Sequence, residues 1–262
     1  MLSLKEIKKY YPEDLHKFDD FMLREYLQYK VLEIIFESKY SDKLCFLGGT
    51  CLRIVHNNTR FSEDLDFDNF NLTKNDFNEI SEIIKKELAK QAYEVEIKNI
   101  YKGAFHCHIK FPSLLFNENL SAHKEAKILI QLDTEPQNFS FVPQQIFLNK
   151  FDVFTNINTT PIDILLAQKY YALINRKRKK GRDFFDIVFL HKTTKPNFEY
   201  LKQKIDVSNN KDLLNRVLSE LKNLDLKEML EDVKPFLFNS TDIKKVLHFE
   251  TYIIQELNKS II

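Results

Sequence analysis

Two aspartates one residue apart, Asp64-Leu65-Asp66, follow a glycine pair, Gly48-Gly49, by a 14-residue spacer in the stretch FLGGTCLRIVHNNTRFSEDLDFDNF. In an extended segment, residues two apart point to one face with Cα atoms roughly 6–7 Å apart. Carboxylates so placed can share Mg²⁺ or Mn²⁺, which take hard oxygen ligands and keep positions for water and phosphate. Two such ions stabilise the attacking and leaving oxygens of an in-line displacement at phosphorus. The glycines serve the same chemistry differently. Without Cβ atoms the backbone can turn tightly and approach a ligand, and a helix starting there offers N–H groups to a phosphate. Thr50 adds a hydroxyl. Neither a Walker A loop nor a dinucleotide fingerprint is present. A plain strand-to-helix turn and a solvent-facing acidic strand compete with this reading. Leu65 and Phe67 weigh against the second, because they mark a strand that packs inward.

Two-ion chemistry of this kind usually uses a third carboxylate, and Asp133 in KILIQLDTEP is the candidate, with Glu135 a poorer second choice. Further on lies DILLAQKYYALINRKRKKGRDFFDIVFL. Lys169 falls on the stripe of Leu165 and Leu173, where a lysine must snorkel out or meet an anion. Asp186 is surrounded by Phe184, Phe185, Ile187, Val188, Phe189 and Leu190, so it needs a partner. Arg182, four residues earlier, could supply it; so could Lys169, if the two helices form a hairpin. A buried Lys–Asp pair with a purely structural role gives the same pattern. The run Arg176-Lys177-Arg178-Lys179-Lys180-Gly181-Arg182 is either a solvated interhelical loop or a track for an RNA backbone. Phe105-His106-Cys107-His108-Ile109 looks like a metal tract, but alternation puts the histidines on one strand face and the cysteine on the other, which argues against zinc.

The elements that must position these groups follow from periodicity and punctuation. The spacing predicts a helix over 13–40, a strand over 43–47, a short helix after the glycines, and a strand over 64–67. Thr73 reads as the N-cap of a helix through Lys90. Strands over 93–100 and 104–111 join at Gly103, and another covers 127–135. From Thr160-Pro161 onward helices are predicted over 161–176, 182–192, 197–206, 210–225 and 240–258, with Leu213, Leu214, Val217, Leu218, Leu221 and Leu224 packing a bundle. The domain boundary is therefore placed near 158/159.

Among 262 residues, 39 are basic and 38 acidic, so a nucleic-acid partner must be met by a local patch. Cys45, Cys51 and Cys107 lack CxxC spacing and cannot all pair, which suggests reduced thiols. The sequence carries no signal core or membrane-length apolar run, and a soluble cytoplasmic protein is expected.

The string GGTCLRIVHNNTRFSEDLDF, above all Arg60-Phe61-Ser62-Glu63-Asp64-Leu65-Asp66-Phe67, resembles the first motif of the AbiEii/AbiGii-type nucleotidyltransferase toxins, within the polymerase-β-like nucleotidyltransferase superfamily. Lys169, Ala172-Leu173, Arg176 and Arg182-Asp183-Phe184-Phe185-Asp186 match a second motif of that family. The resemblance covers about residues 43–190. It implies an α+β fold: a nucleotidyltransferase domain with a mixed sheet flanked by helices (1–158), then a C-terminal helical bundle (159–262) contributing Lys169 and Asp183 or Asp186. It also implies a Mg²⁺- or Mn²⁺-dependent transfer of NMP from an NTP to an acceptor, with the tRNA 3′ end favoured, which would block translation. Asp64, Asp66 and Asp133 would hold metal, with Asp133 also a candidate base. Gly48, Gly49, Thr50, Ser62, Lys169 and Asp183 would meet the nucleotide, and Arg176, Lys177, Arg178, Lys179, Lys180 and Arg182 the RNA. A cognate antitoxin would be the partner. Gln131 stands where similar sequences often carry glutamate. The alternatives are transfer to a protein or small-molecule hydroxyl, or an inactive NTP- or RNA-binding module.

Overall fold

The computed structural model describes residues 2–222 and 224–259; residue 223, inside the helix expected over 210–225, lies outside the described residues. The chain divides into two compact units. The first comprises Met1–His56, Phe61–Asn138 and Pro143–Thr159; the second comprises Asn57–Arg60, Phe139–Val142 and Thr160–Ile262. No described helix is long and apolar enough to cross a membrane, and Cys45, Cys51 and Cys107 are buried thiols outside any disulfide.

The first unit begins with α1 (Leu4–Lys8) and α2 (Asp19–Phe36). The helix expected over 13–40 is shorter at both ends. Glu13–Leu15 forms a separate 3₁₀ turn after Pro12. At the other end Ser38 Oγ donates to the Ile35 carbonyl at 2.7 Å, a local bond that competes with helix continuation. Strand β1 (Leu44–Leu47) runs directly into α3 (Gly48–Ile54), so the glycines form the first turn of the helix itself. Strand β2 (Leu65–Asn69) follows, starting one residue after Asp64. Thr73 caps α4 (Lys74–Lys90) through a capping box with Asp76, as expected. Then come β3 (Glu96–Lys102) and β4 (Ala104–Phe111), turning at Gly103 with φ +81°, α5 (Leu114–Asn117) and β5 (Ile128–Glu135). Two more strands, β6 (Gln144–Lys150) and β7 (Val153–Thr159), have no counterpart in the sequence reading.

These strands form one seven-stranded mixed sheet in the order β3-β4-β5-β2-β1-β7-β6. The β1–β7 and β2–β5 pairs are parallel; β1–β2, β3–β4, β4–β5 and β6–β7 are antiparallel. Helices α2 and α4 pack together, α2 against β7 and α4 against β3. Strand alternation assigns the faces: Leu65, Phe67, Cys107, Ile109, Ile130 and Leu132 are buried, while the residues between Leu65 and Phe67, and between Ile130 and Leu132, are half-buried. The expected α+β architecture is therefore the one present.

The second unit is helical: α6 (Ile162–Asn175), α7 (Gly181–Leu190), α8 (Phe198–Ile205), α9 (Asn210–Leu221), α10 (Leu226–Val233), α11 (Lys244–Leu247) and α12 (Phe249–Asn258). The helix α10 was not expected, and the helix expected over 240–258 is broken into a 3₁₀ turn (Ser240–Ile243), α11 and α12. Leu165, Leu166, Tyr170, Leu173, Phe184, Phe185 and Leu190 supply the core between these helices.

Gly181 opens α7 against the backbone of α10: a Cβ there would come within 1.7 Å of the Met229 carbonyl oxygen. Backbone cannot rotate aside as a side chain would. Gly181→Ala is therefore expected to destabilise the protein by about 3 kcal/mol or more, read as a lowered urea midpoint. An unchanged midpoint would mean that α7 and α10 are not packed at this distance.

Candidate active site

One row of residues crosses four strands at a common level. His106 of β4 is opposite Asp133 of β5, Asp133 is opposite Asp66 of β2, and Asp66 is opposite Leu47 of β1. Neighbouring strands lie about 4.8 Å apart, so two carboxylates separated widely in sequence become lateral neighbours on one face. Asp64 and Asp66 are both half-buried. Asp133 Oδ1 accepts from His106 Nδ1 at 2.7 Å, while Gln131 Nε2 donates to its Oδ1 and Oδ2 at 3.0 and 2.8 Å. Gln131 thus supports the carboxylate beside it. Glu135 lies two residues further along β5 and is exposed.

The glycine pair meets this row directly. Gly48 has φ +79°, and a Cβ on it would come within 2.2 Å of Asp66 Oδ2. Only glycine combines this backbone angle with that approach. Gly49 and Thr50 are buried in the first turn of α3. Thr50 was expected to offer its hydroxyl to a phosphate, but it is fully buried and donates to the Asp64 carbonyl. Its hydrogen therefore fixes the segment entering β2. Buried Gln28 of α2 donates to the Ser62 and Glu63 carbonyls at 3.0 and 2.8 Å, holding the same segment from the other side.

Helix α3 is anchored through Arg53, whose Nε lies 2.7 Å from Glu25 Oε2. Lys150 and the Tyr11 hydroxyl also reach Glu25, at 2.7 and 2.8 Å. Burial alone would raise the Glu25 pKa, but Arg53 and Lys150 outweigh it and lower it. The short helix carrying the glycines is thereby fixed to α2 and β6.

The donor set suits Mg²⁺ or Mn²⁺. Among the described residues no three His, Cys, Asp or Glu side chains form a ready-made ion cage. Mg²⁺ needs no such cage, since one or two carboxylates suffice when water and phosphate oxygens complete its shell. Asp66 and Asp133, lateral neighbours on one face, are a carboxylate pair of that kind.

The downstream residues gather within the second unit. Asp186, fully buried, accepts from Arg60 Nε at 2.8 Å and Nη2 at 2.6 Å, and from Asn58 Nδ2 at 2.7 Å. Lys169 Nζ reaches Asp186 at 2.8 Å and Asp183 at 3.0 Å. Arg176 meets Asp183 at 2.7 Å. Of the two partners open for Asp186, Lys169 is in contact, whereas the Arg182 guanidinium lies 4.9 Å from the Phe236 ring centre. Arg60 and Asn58 are the partners that sequence reasoning missed; Arg60 opens the Arg60–Phe67 string, but nothing in that string points to Asp186. The basic run is partly committed as well, with Lys179 bound to Glu220 at 2.6 Å and to the Ile174 carbonyl at 2.9 Å. Lys177 and Arg178 are exposed, and Lys180 is half-buried.

A family model described as "Nucleotidyl transferase AbiEii toxin, Type IV TA system" matches residues 30–248. Among solved structures, the chain is similar to JHP933 from Helicobacter pylori at 17% identity and a TM-score of 0.55, covering 91% of this chain and 92% of that one. It is also similar to a structure described as "putative nucleotidyltransferase from H. pylori", at 18% identity and a TM-score of 0.56, covering 91% and 95%. Both likenesses are of fold. No curated protein matches.

The Asp186 cluster has a measurable consequence. Burial alone would raise the pKa of Asp186, but Arg60 and Lys169 more than offset it and bring it to about 2. A carboxylate held below its unfolded value of about 3.9 stabilises the fold above that pH, and the contribution is lost as pH falls through about 4 towards 2. Asp186→Asn strips a buried cluster of one partner and is expected to cost about 3–5 kcal/mol at pH 7. Urea unfolding should give the same wild-type-minus-variant difference at pH 7 and pH 5, and a smaller one at pH 3. A difference that persists undiminished at pH 3 would exclude this linkage.

Proposed function

The chain belongs to the AbiEii nucleotidyltransferase toxins of type IV toxin–antitoxin systems, and on that premise we propose that it transfers a nucleoside monophosphate from an NTP to the 3′ end of an RNA, with tRNA the favoured acceptor. Membership carries with it an NTP substrate and an antitoxin counterpart. The observation that carries the site assignment is the lateral pairing of Asp66 with Asp133, with Gly48 backed directly against Asp66.

In this reading Asp64, Asp66 and Asp133 form the face on which the triphosphate is held. Gly48, Gly49 and Ser62 border it, and Thr50 fixes Asp64 through its backbone. A bound Mg²⁺ or Mn²⁺ would supply charge stabilisation at the phosphoryl oxygens. The acceptor hydroxyl oxygen bonds to the α-phosphorus as the bond to the β-phosphate oxygen breaks, and pyrophosphate leaves. Asp133 takes the hydroxyl proton. Lys169, Asp183 and Asp186 are satisfied by one another and by Arg60 and Arg176, which supports the structural role for them. Exposed Lys177 and Arg178 support RNA as the acceptor class.

Transfer from each α-³²P-labelled NTP to total tRNA with Mg²⁺ tests the proposal. One NTP should label tRNA, and Asp64→Ala and Asp66→Ala should each reduce labelling by about 10²-fold or more, because several kcal/mol of charge stabilisation goes with the ion. Label appearing on protein or on a small molecule would instead move the acceptor. NTP binding without transfer to any acceptor would make the chain a binding module. Gly48→Ala, which forces the Asp66 carboxylate aside and strains the backbone at φ +79°, should lose transfer comparably and also lower the urea midpoint, at a cost of about 1–3 kcal/mol.

A further inference from the structure

We propose that His106 is a positioning residue for this chemistry, acting with Gln131 through Asp133 to hold that carboxylate towards the metal. The inference rests on the reading of Asp133 as a metal-facing group and deepens it.

The register makes the contact. His106 and Asp133 are directly paired across β4 and β5, and their side chains share a face. The Nδ1–Oδ1 distance is 2.7 Å. An ionised carboxylate only accepts, so Nδ1 carries the hydrogen in this bond. Gln131, two residues before Asp133 on the same face, closes on both oxygens. The two side chains approach from different directions, one across the sheet and one along β5. Together they remove the rotation that an aspartate on an open strand face would keep.

Asp66 stands on the other side of Asp133 in the same row. Two adjacent carboxylates repel each other, and the His106 contact on the far side, with Gln131 along the strand, fixes which way Asp133 stands rather than leaving that repulsion to set it. Hydrogen bonds that orient a ligating carboxylate raise metal affinity, and their loss typically costs about 10–100-fold. His106 lies two strand spacings from Asp66, about 10 Å, so it acts through Asp133. Its side chain and that of Asp133 are 28% and 27% exposed, which leaves room for substitution without disturbing the core.

Equilibrium binding of Mn²⁺ alone to the full chain, followed by electron paramagnetic resonance, provides the test. The series is wild type, His106→Phe, His106→Asn and Asp66→Asn, each checked by its urea midpoint. His106→Phe should weaken Mn²⁺ binding about 10–100-fold. His106→Asn, whose amide can donate to the same oxygen, should recover most of it. In the transfer assay, excess Mn²⁺ should restore the rate of His106→Phe, which it would not do for a variant damaged in folding. If His106→Phe lowers the urea midpoint, His106→Ala takes its place. Wild-type Mn²⁺ affinity in His106→Phe or its replacement, with binding lost in Asp66→Asn, overturns this inference and leaves the proposed function standing. Wild-type affinity in Asp66→Asn overturns both.

Discussion

Asp66 and Asp133 are neighbours because β2 and β5 run parallel, and parallel strands cannot be joined by a tight turn. The connection must be a long one, and the chain fills it with α4, the β3–β4 hairpin of the same sheet and α5. That hairpin then lies on the far side of β5, which is how His106 comes to stand next to Asp133. On the near side β1 runs antiparallel to β2 and ends at the level of Asp66, so the next residue, Gly48, turns directly against it. A single choice of strand order therefore assembles groups from four strands. A one-residue slip of β5 would send Asp133 to the buried face and Leu132 to the row.

Charged groups are taken out of water in both units, and in each case they hold a short segment that apolar packing could not hold alone. Glu25 fixes the seven-residue helix α3 through Arg53. Asp186 fixes the four residues Asn57–Arg60 through Asn58 and Arg60. Short segments bury too few side chains for hydrophobic burial to define their position. Hydrogen-bonded charge pairs define it by direction as well as distance, though removing one partner leaves the other stranded.

The long periodic elements and the capped ones could be read from residues: α4 with its Thr73 cap, β4 with its alternation, β5 with its inward Ile128, Ile130 and Leu132. The fold class followed from them and from the resemblance of two motifs. The pair β6–β7 escaped because its pattern contradicts its burial. In β7 the inward positions include Thr155 and Thr159, while Phe154 is 65% exposed and stacks on exposed Phe147 of β6. Apolarity there does not mark the inside. Around the candidate site, the residue types and the strand face of the aspartates were legible, as was the need of Asp186 for a partner. Thr50 and Arg60 were not, because a hydroxyl spent on a backbone carbonyl and an arginine spent on a distant aspartate depend on register and topology. Histidine 106 was read only as part of an unconvincing zinc tract, since nothing local announces which residue will lie across from it.

The membership of Asn57–Arg60 in the second unit bears on how the chain can be made. A ribosome completes the whole first unit before Asp186 has emerged, so during synthesis the Arg60 guanidinium must wait without the carboxylate that will enclose it. Residues 57–60, between the glycine and aspartate motifs, are therefore among the last parts of the molecule to set, although they are encoded in the first quarter of the chain. The same arrangement frustrates dissection. A fragment cut at the Thr159–Thr160 junction would bury Asp186 and Lys169 in one piece and leave Arg60 in the other, so neither half carries its full complement of charges.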